Sequence, residues 1–219
     1  EESFDKLLIE NSGFREGPII KFNEDPKWRE NARDKFETNN TDEIYDEEYW
    51  NNNASLDIFN KNRIYENIQQ SSQAVLAENL LNEFLSKKIK TSEVFDIKKT
   101  ALYFAIHDVF GLDHPYSWHN IRFYYDPITA RLIPIGYDAE YSNQRINNSL
   151  SIDKNPFGVF DDKEFAKEYI NQLERISNDQ YILNFFKEIN KDLLSELKKI
   201  NRYYPHVKIH DDIIFKNLI

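Results

Sequence analysis

Between residues 107 and 140 the chain gathers His107, Asp108, Asp113, His114, His119, Asn120, Asp126, Asp138 and Glu140 among aromatic residues. Three of these have types and spacing suited to chemistry. Asp113 lies in the loop LDHPYSWHN (112–120), Asn120 closes that loop, and Asp138 ends RLIPIGYD (131–138). IRFYY (121–125), DPITA (126–130) and RLIPIGYD read as strand, turn and strand, with Pro127 at the second position of the turn. The open ends of a hairpin lie side by side, with strands about 4.8 Å apart. Asn120 and Asp138 are therefore expected to be neighbours, with Asp113 in the loop just before them. Carboxylate and amide oxygens suit a hard divalent cation such as magnesium, with phosphate and water in its remaining positions. An Asp base followed by an Asn and a second Asp as metal ligands is also the layout of protein-kinase phosphoryl transfer. The competing reading is structural: Asp next to Pro or Gly forms turns, and Asn at a strand start caps it.

Neighbouring residues carry two readings each. His119 either contacts phosphate or substrate or is a hydrogen-bonded structural histidine. Arg122 either holds phosphate or faces water. His107, within a helical pattern, reads as a packing or surface residue. Trp118 and Tyr137 read as core residues, with base stacking as the alternative. His107, His114 and His119 lack the compact acidic partners of a zinc site. Trp28, Tyr49 and Trp50 raise a separate, carbohydrate-directed possibility, which requires two carboxylates at a defined separation.

The surrounding elements are mostly helical. Residues 1–10 read as a short amphipathic helix with Glu1 and Glu2 in its first turn, stopped by Gly13. GPIIKF (17–22) reads as a strand. Residues 23–55, rich in Asn, Asp and Glu, read as a loosely structured insertion. SQAVLAENLLNEFLSKK (72–88) is a helix with Ser72 as cap and Val75, Leu76, Leu80, Leu81 and Phe84 on one face. A second helix runs from Asp96 as N-cap to Gly111, with Ala101, Leu102, Ala105, Ile106 and Val109 as its stripe. Two more span 161–177 and 178–200, the latter with Phe185, Phe186, Ile189, Leu193, Leu194 and Leu197. The stripes at 75–84, 101–109 and 182–197 are expected to pack on one another. The lysines at 87–90 and 198–199 suit helix C-terminal ends. The sum is an α+β class dominated by helix, with a small hairpin carrying the site.

Composition narrows the function. The chain has 219 residues, 40% hydrophobic and 15% aromatic, which supports a real core and one domain of generous size or two small ones, read as a single domain over 1–219. Its formal net charge of −10 disfavours nucleic acid and anionic membrane as main partners. Cys is 0, so disulfide scaffolds and thiol chemistry are excluded. No apolar run approaches the roughly 20 residues of a membrane-spanning helix. The Glu-Glu start and a Met count of 0 suggest part of a longer protein.

The stretch GLDHPYSWHNIRFYYDPITARLIPIGYDAEYS resembles the signature region of the CotH family, the spore-coat-protein-H-type atypical kinases. EESFDKLLIENSGFREGPIIKF is similar to that family's Glu-rich helix start and R-E-G-P-I-x-K-F stretch, and SEVFDIKKTALYFAIHDVFG to its s-x-v-F-D helix. The likeness runs over residues 1–142, and helices 161–205 suit the family's C-terminal part. The resemblance implies the C-lobe of an atypical kinase-like fold, with the small-lobe strands upstream of residue 1. It also implies ATP and Mg2+ as cofactors and transfer of the ATP γ-phosphoryl group to a serine or threonine of a protein substrate, a cell-surface or coat protein. Carried over position by position, Asp113 matches the catalytic Asp, and Asn120 and Asp138 match the metal ligands. Glu140 stands in for a second acid that many members have. Lys21 and Glu2 fall at nucleotide-side positions, joined by Arg122 and His119 as candidate contacts. The family implies export, with the cell surface or spore coat as location. The alternative is a catalytically inactive kinase-like module of a larger cell-envelope protein.

Overall fold

The computed structural model of the protein describes residues 3–38, 49–50, 53–112, 114–139 and 150–206. The expected hairpin is present. Strands β3 (Arg122–Asp126) and β4 (Arg131–Ile135) pair antiparallel from Arg122↔Ile135 to Asp126↔Arg131. Asp126 builds the turn: its carboxylate accepts from the Ile128 N–H and the Thr129 hydroxyl, at 3.0 and 2.8 Å. Strand β1 (Ile19–Phe22) pairs antiparallel with β3, and β2 (Leu56–Ile58) with the other edge of β1. The sheet order is β2-β1-β3-β4.

Period-2 alternation gives the sheet two apolar faces. Ile20, Phe22, Phe123, Tyr125 and Leu132 face the main core. There they join Leu81 and Phe84 of helix α4 (Ile68–Leu85), Ala101 and Phe104 of α6 (Ile97–Phe110), and Phe165 and Tyr169 of α8 (Lys163–Ile176). Ile19, Tyr124 and Ile133 turn the other way. They are covered by Ile9 of α1 (Lys6–Asn11) with Phe4, Phe14 and Phe59. Gly17 is required where the chain enters β1: a Cβ there would sit 2.3 Å from the Tyr125 carbonyl oxygen.

Helix ends follow the capping chemistry. Asp96 accepts from the Lys99 N–H at 3.1 Å, and Gly111 closes α6 at φ 70°. Asp162 caps α8.

Four expectations need correction. Residues 23–55 are not a loose insertion throughout: Asp25–Thr38 is a helix, α2, started by the Asn23 side chain accepting from the Asp25 N–H at 3.1 Å. Residues 39–48 and 51–52 lie outside the described residues. α1 begins at Lys6 behind Asp5, and Glu1 and Glu2 fall outside the described residues. α4 starts four residues before Ser72, capped by Asn67, and buries Ala74, Ala77, Leu81 and Phe84, whereas Val75 and Leu76 are exposed. The small alanines let the helix approach the sheet. Two shorter helices, α3 (Lys61–Glu66) and α5 (Thr91–Val94), flank α4.

The fourth correction concerns α9 (Asp179–Ile200). It forms with the expected limits, yet none of its described side chains is buried, so its stripe does not join the other two. Leu183 and Leu194 are 55% and 50% exposed. Leu81→Ala is accordingly expected to cost about 2–5 kcal/mol in denaturant unfolding. Leu194→Ala is expected to stay within about 0.5 kcal/mol of wild type.

Candidate functional site

Helix α6 delivers the chain to the site. After the Gly111 stop, a short 3-10 turn, His114–Tyr116, is pinned to α6 by the Tyr103 hydroxyl donating to the Pro115 carbonyl at 2.9 Å. The Asn120 and Ile121 N–H groups both donate to the Ser117 carbonyl, turning the chain into β3. β4 then returns alongside. Asp138 follows it at φ 52°, a left-handed conformation that Asp tolerates better than most residues.

Asn120 and Asp138 thus meet, and His114 joins them. Its Nδ1 is 3.1 Å from the Asp138 carboxylate. The Asn120 amide nitrogen lies 3.1 Å from the same ring atom and donates to the His114 carbonyl at 3.2 Å. Asn120 is buried, whereas the Asp138 and His114 side chains are 32% and 43% exposed, so the cluster opens to solvent on one side. Asp113, Glu140 and Glu2 lie outside the described residues. Among the described residues no group of three or more His, Cys, Asp or Glu is arranged to hold a metal ion.

Arg122 is neither water-facing nor open. It is 4% exposed. One guanidinium nitrogen meets the Glu24 carboxylate at 3.1 Å, and the other donates to the His119 and Ile121 carbonyls at 2.6 and 3.2 Å. Its plane lies among Tyr137, Phe59 and Phe4, 5.1 to 5.9 Å from their ring centres. Burial pulls its pKa down, opposed mainly by Glu24. Lys21, its cross-strand partner, stands 5.1 Å from the centre of the same Phe59 ring. Lys21 and Arg122 therefore share one sheet face, and Arg122 packs there against Tyr137, the residue before Asp138.

His119 is half-buried. Burial, then the nearby Lys27 ammonium, push its pKa down to about 4, against the pull of Glu24. At neutral pH it is an uncharged imidazole. Trp118 is a core residue: fully buried, it stacks on Trp50 at 5.7 Å. That places Trp50 in the core, while the Trp28 indole N–H donates to Glu24 at 3.1 Å. Trp28, Tyr49 and Trp50 therefore do not make one shared sugar platform.

Glu24, Lys27 and His114 are the members the sequence reading did not assign. Glu24 bridges Trp28 and Arg122, and Lys27 is buried with its ammonium 4.3 Å from the Trp28 ring centre. A signal for the first two existed. Asn23 ahead of Asp25-Pro26 is a helix-start signature, and it places Glu24 at a helix entrance.

Two other polar residues fix the frame. Asp108, near the end of α6, accepts from the Ser151 N–H and hydroxyl at 3.0 and 2.7 Å and from the Tyr169 hydroxyl at 2.5 Å. Burial raises its pKa despite these donors. It ties α6 to α8 and to α7 (Ser151–Lys154), where the chain returns after the site. His107 packs edge-on against Tyr103, and burial pushes its pKa from 6.5 down to about 4. The unfolded chain binds this proton below pH 6.5 and the folded protein does not, so stability is lost as pH falls from 6.5 toward 4. At 1.36 kcal/mol per unit, the loss from His107 is roughly 3 kcal/mol. Chemical unfolding between pH 7 and pH 4 checks this, with His107→Gln expected to make the profile shallower and the remaining slope to include His119, whose pKa is lowered to the same range.

No family model matches the chain, and no curated protein matches it.

Proposed function

We propose that this protein transfers the γ-phosphoryl group of ATP to a serine or threonine hydroxyl of a protein substrate, with magnesium, on a kinase-like C-lobe of the CotH type. The observation that supports this best is the convergence of Asn120 and Asp138 on His114, one residue after Asp113. The ligand chemistry fits a hard cation. Asp138 offers carboxylate oxygens, and Asn120 makes its hydrogen bonds through its amide nitrogen, which leaves Oδ1 to serve as a ligand. Asn120 and Asp138 would hold magnesium, with Glu140 as a further acid. When bound, magnesium neutralises charge on the phosphates.

This chain's own residues do the rest. Asp113 orients and deprotonates the acceptor hydroxyl. His114 holds the Asp138 carboxylate in place beside Asn120. Lys21 supplies positive charge on the nucleotide side. Arg122 acts from beneath, holding the His119 carbonyl and Glu24 in place rather than meeting phosphate. The acceptor is a protein exposed at the cell surface or spore coat, as for the family resembled.

Turnover of ATP with a serine-bearing acceptor protein tests the reading. Asp113→Asn is expected to bind ATP and magnesium as wild type does and to lower turnover by about 10²–10⁴-fold. Unchanged turnover in Asp113→Asn would remove it as the base.

A further inference from the structure

Between the end of α4 and the start of α8 lies a groove of about 620 Å³, within the size range of ligand sites. None of His114, Asn120, Arg122 or Asp138 lines it. Phe84 and Phe157 contribute its apolar lining, and Lys87, Lys88, Lys90 and Lys163 its cations. Its acids are largely spent on the protein itself. Asp162 accepts from the Ser92 N–H and hydroxyl at 2.9 and 2.6 Å and from the Glu164 N–H at 2.9 Å. Asp161 accepts from the Asn155 amide at 2.8 Å and faces Lys87 at 3.8 Å. Lys88, Lys90 and Lys163 are exposed and make no ion pair among the described residues, and with Lys87 they set four lysines against Asp161, Asp162 and Glu164 in the lining. On a chain of net charge −10, this is a local reversal of sign.

We propose that this groove docks an acidic segment of a partner protein. The lysines come from two elements, the turn after α4 and the first residue of α8, so they span a stretch of chain rather than ring a single small anion. Flexible, hydrated ammonium groups suit carboxylates presented along a peptide. Two features disfavour nucleic acid. Phe84 is 5% exposed and one face of Phe157 is already taken by Phe22 at 5.6 Å, and the overall negative charge repels a long polyanion. The proposal does not depend on the phosphoryl-transfer reading, since it concerns a different surface.

The probe is a fluorescein-labelled peptide of alternating Glu and Ser, followed by anisotropy against the whole chain. It is expected to bind, with affinity falling as salt rises, and the Gln-Ser counterpart is expected not to bind. The triple variant Lys88→Glu, Lys90→Glu, Lys163→Glu is expected to weaken binding by about tenfold or more. The same charge change on α9, Lys187→Glu with Lys198→Glu and Lys199→Glu, is expected to leave it within about twofold. Thermal unfolding checks that both variants are folded. If the triple Glu variant is not, the milder Lys→Gln triple at the same positions replaces it, with the same loss expected. Equal weakening by the two triples, equal binding of the Gln-Ser peptide, or tighter binding of a single-stranded DNA oligomer would each overturn the proposal.

Discussion

Arg122→Ala is expected to lower folding stability by about 3–5 kcal/mol, the range for breaking a buried ion pair from one side. For a chain of this length each kcal/mol moves the melting temperature by roughly 2–4 °C, so the variant should melt about 10 °C below wild type. The size follows from what the substitution strands. Glu24 loses its cation, and the His119 and Ile121 carbonyls lose their donor. The Phe4, Phe59 and Tyr137 rings lose the group that fills the space between them. Arg122→Lys keeps the charge but cannot serve Glu24 and two carbonyls from one planar fork, so an intermediate loss is expected. Glu24→Gln should also destabilise, and the double variant with Arg122→Ala should cost less than the two singles together. Additive losses, or a loss below about 1 kcal/mol for Arg122→Ala, would show that the pair does not hold β3 to the entrance of α2.

How much of this was legible in the sequence depended on the distance over which each feature is decided. The hairpin was, because DPITA sets its own turn between two β-rich runs. The limits of α6, α8 and α9 were, because Asp96, Asp162 and Asn178 cap locally and Gly111 stops α6. α2 was missed because its buried residues are Lys27 and Asn31, so no apolar stripe announces it. In α4 the buried face is marked partly by Ala74 and Ala77, while larger Val75 and Leu76 face out, which inverts a reading based on hydrophobic size. α9 shows the opposite failure: its stripe reads clearly, but whether a stripe is covered is a tertiary fact.

The site divides in the same way. The meeting of Asn120 and Asp138 follows from hairpin topology alone. The bond from Glu24 to Arg122 joins residues 98 apart, and the placement of His114 between Asn120 and Asp138 depends on the 3-10 turn after Gly111. Neither leaves a local trace. The water-facing reading of Arg122 failed because strand alternation does not say that Phe4, Phe59, Tyr137 and Glu24 cover it.

Asp138→Asn carries the largest expected effect on function. It preserves shape and removes one negative charge from the pair that would hold the cation, so ATP affinity in the presence of magnesium is expected to fall by more than about a hundredfold. The variant should remain folded, because Asp138 is partly exposed and its contact with His114 lies at the surface. Isothermal titration of ATP with magnesium into wild type and Asp138→Asn is the most direct measurement. In wild type, ATP at about a hundred times its dissociation constant should add roughly 2.7 kcal/mol of stability. Saturable, magnesium-dependent binding to wild type, abolished by chelation and lost in Asp138→Asn, is expected. Equal affinity in the two proteins, or no binding to wild type, would contradict it.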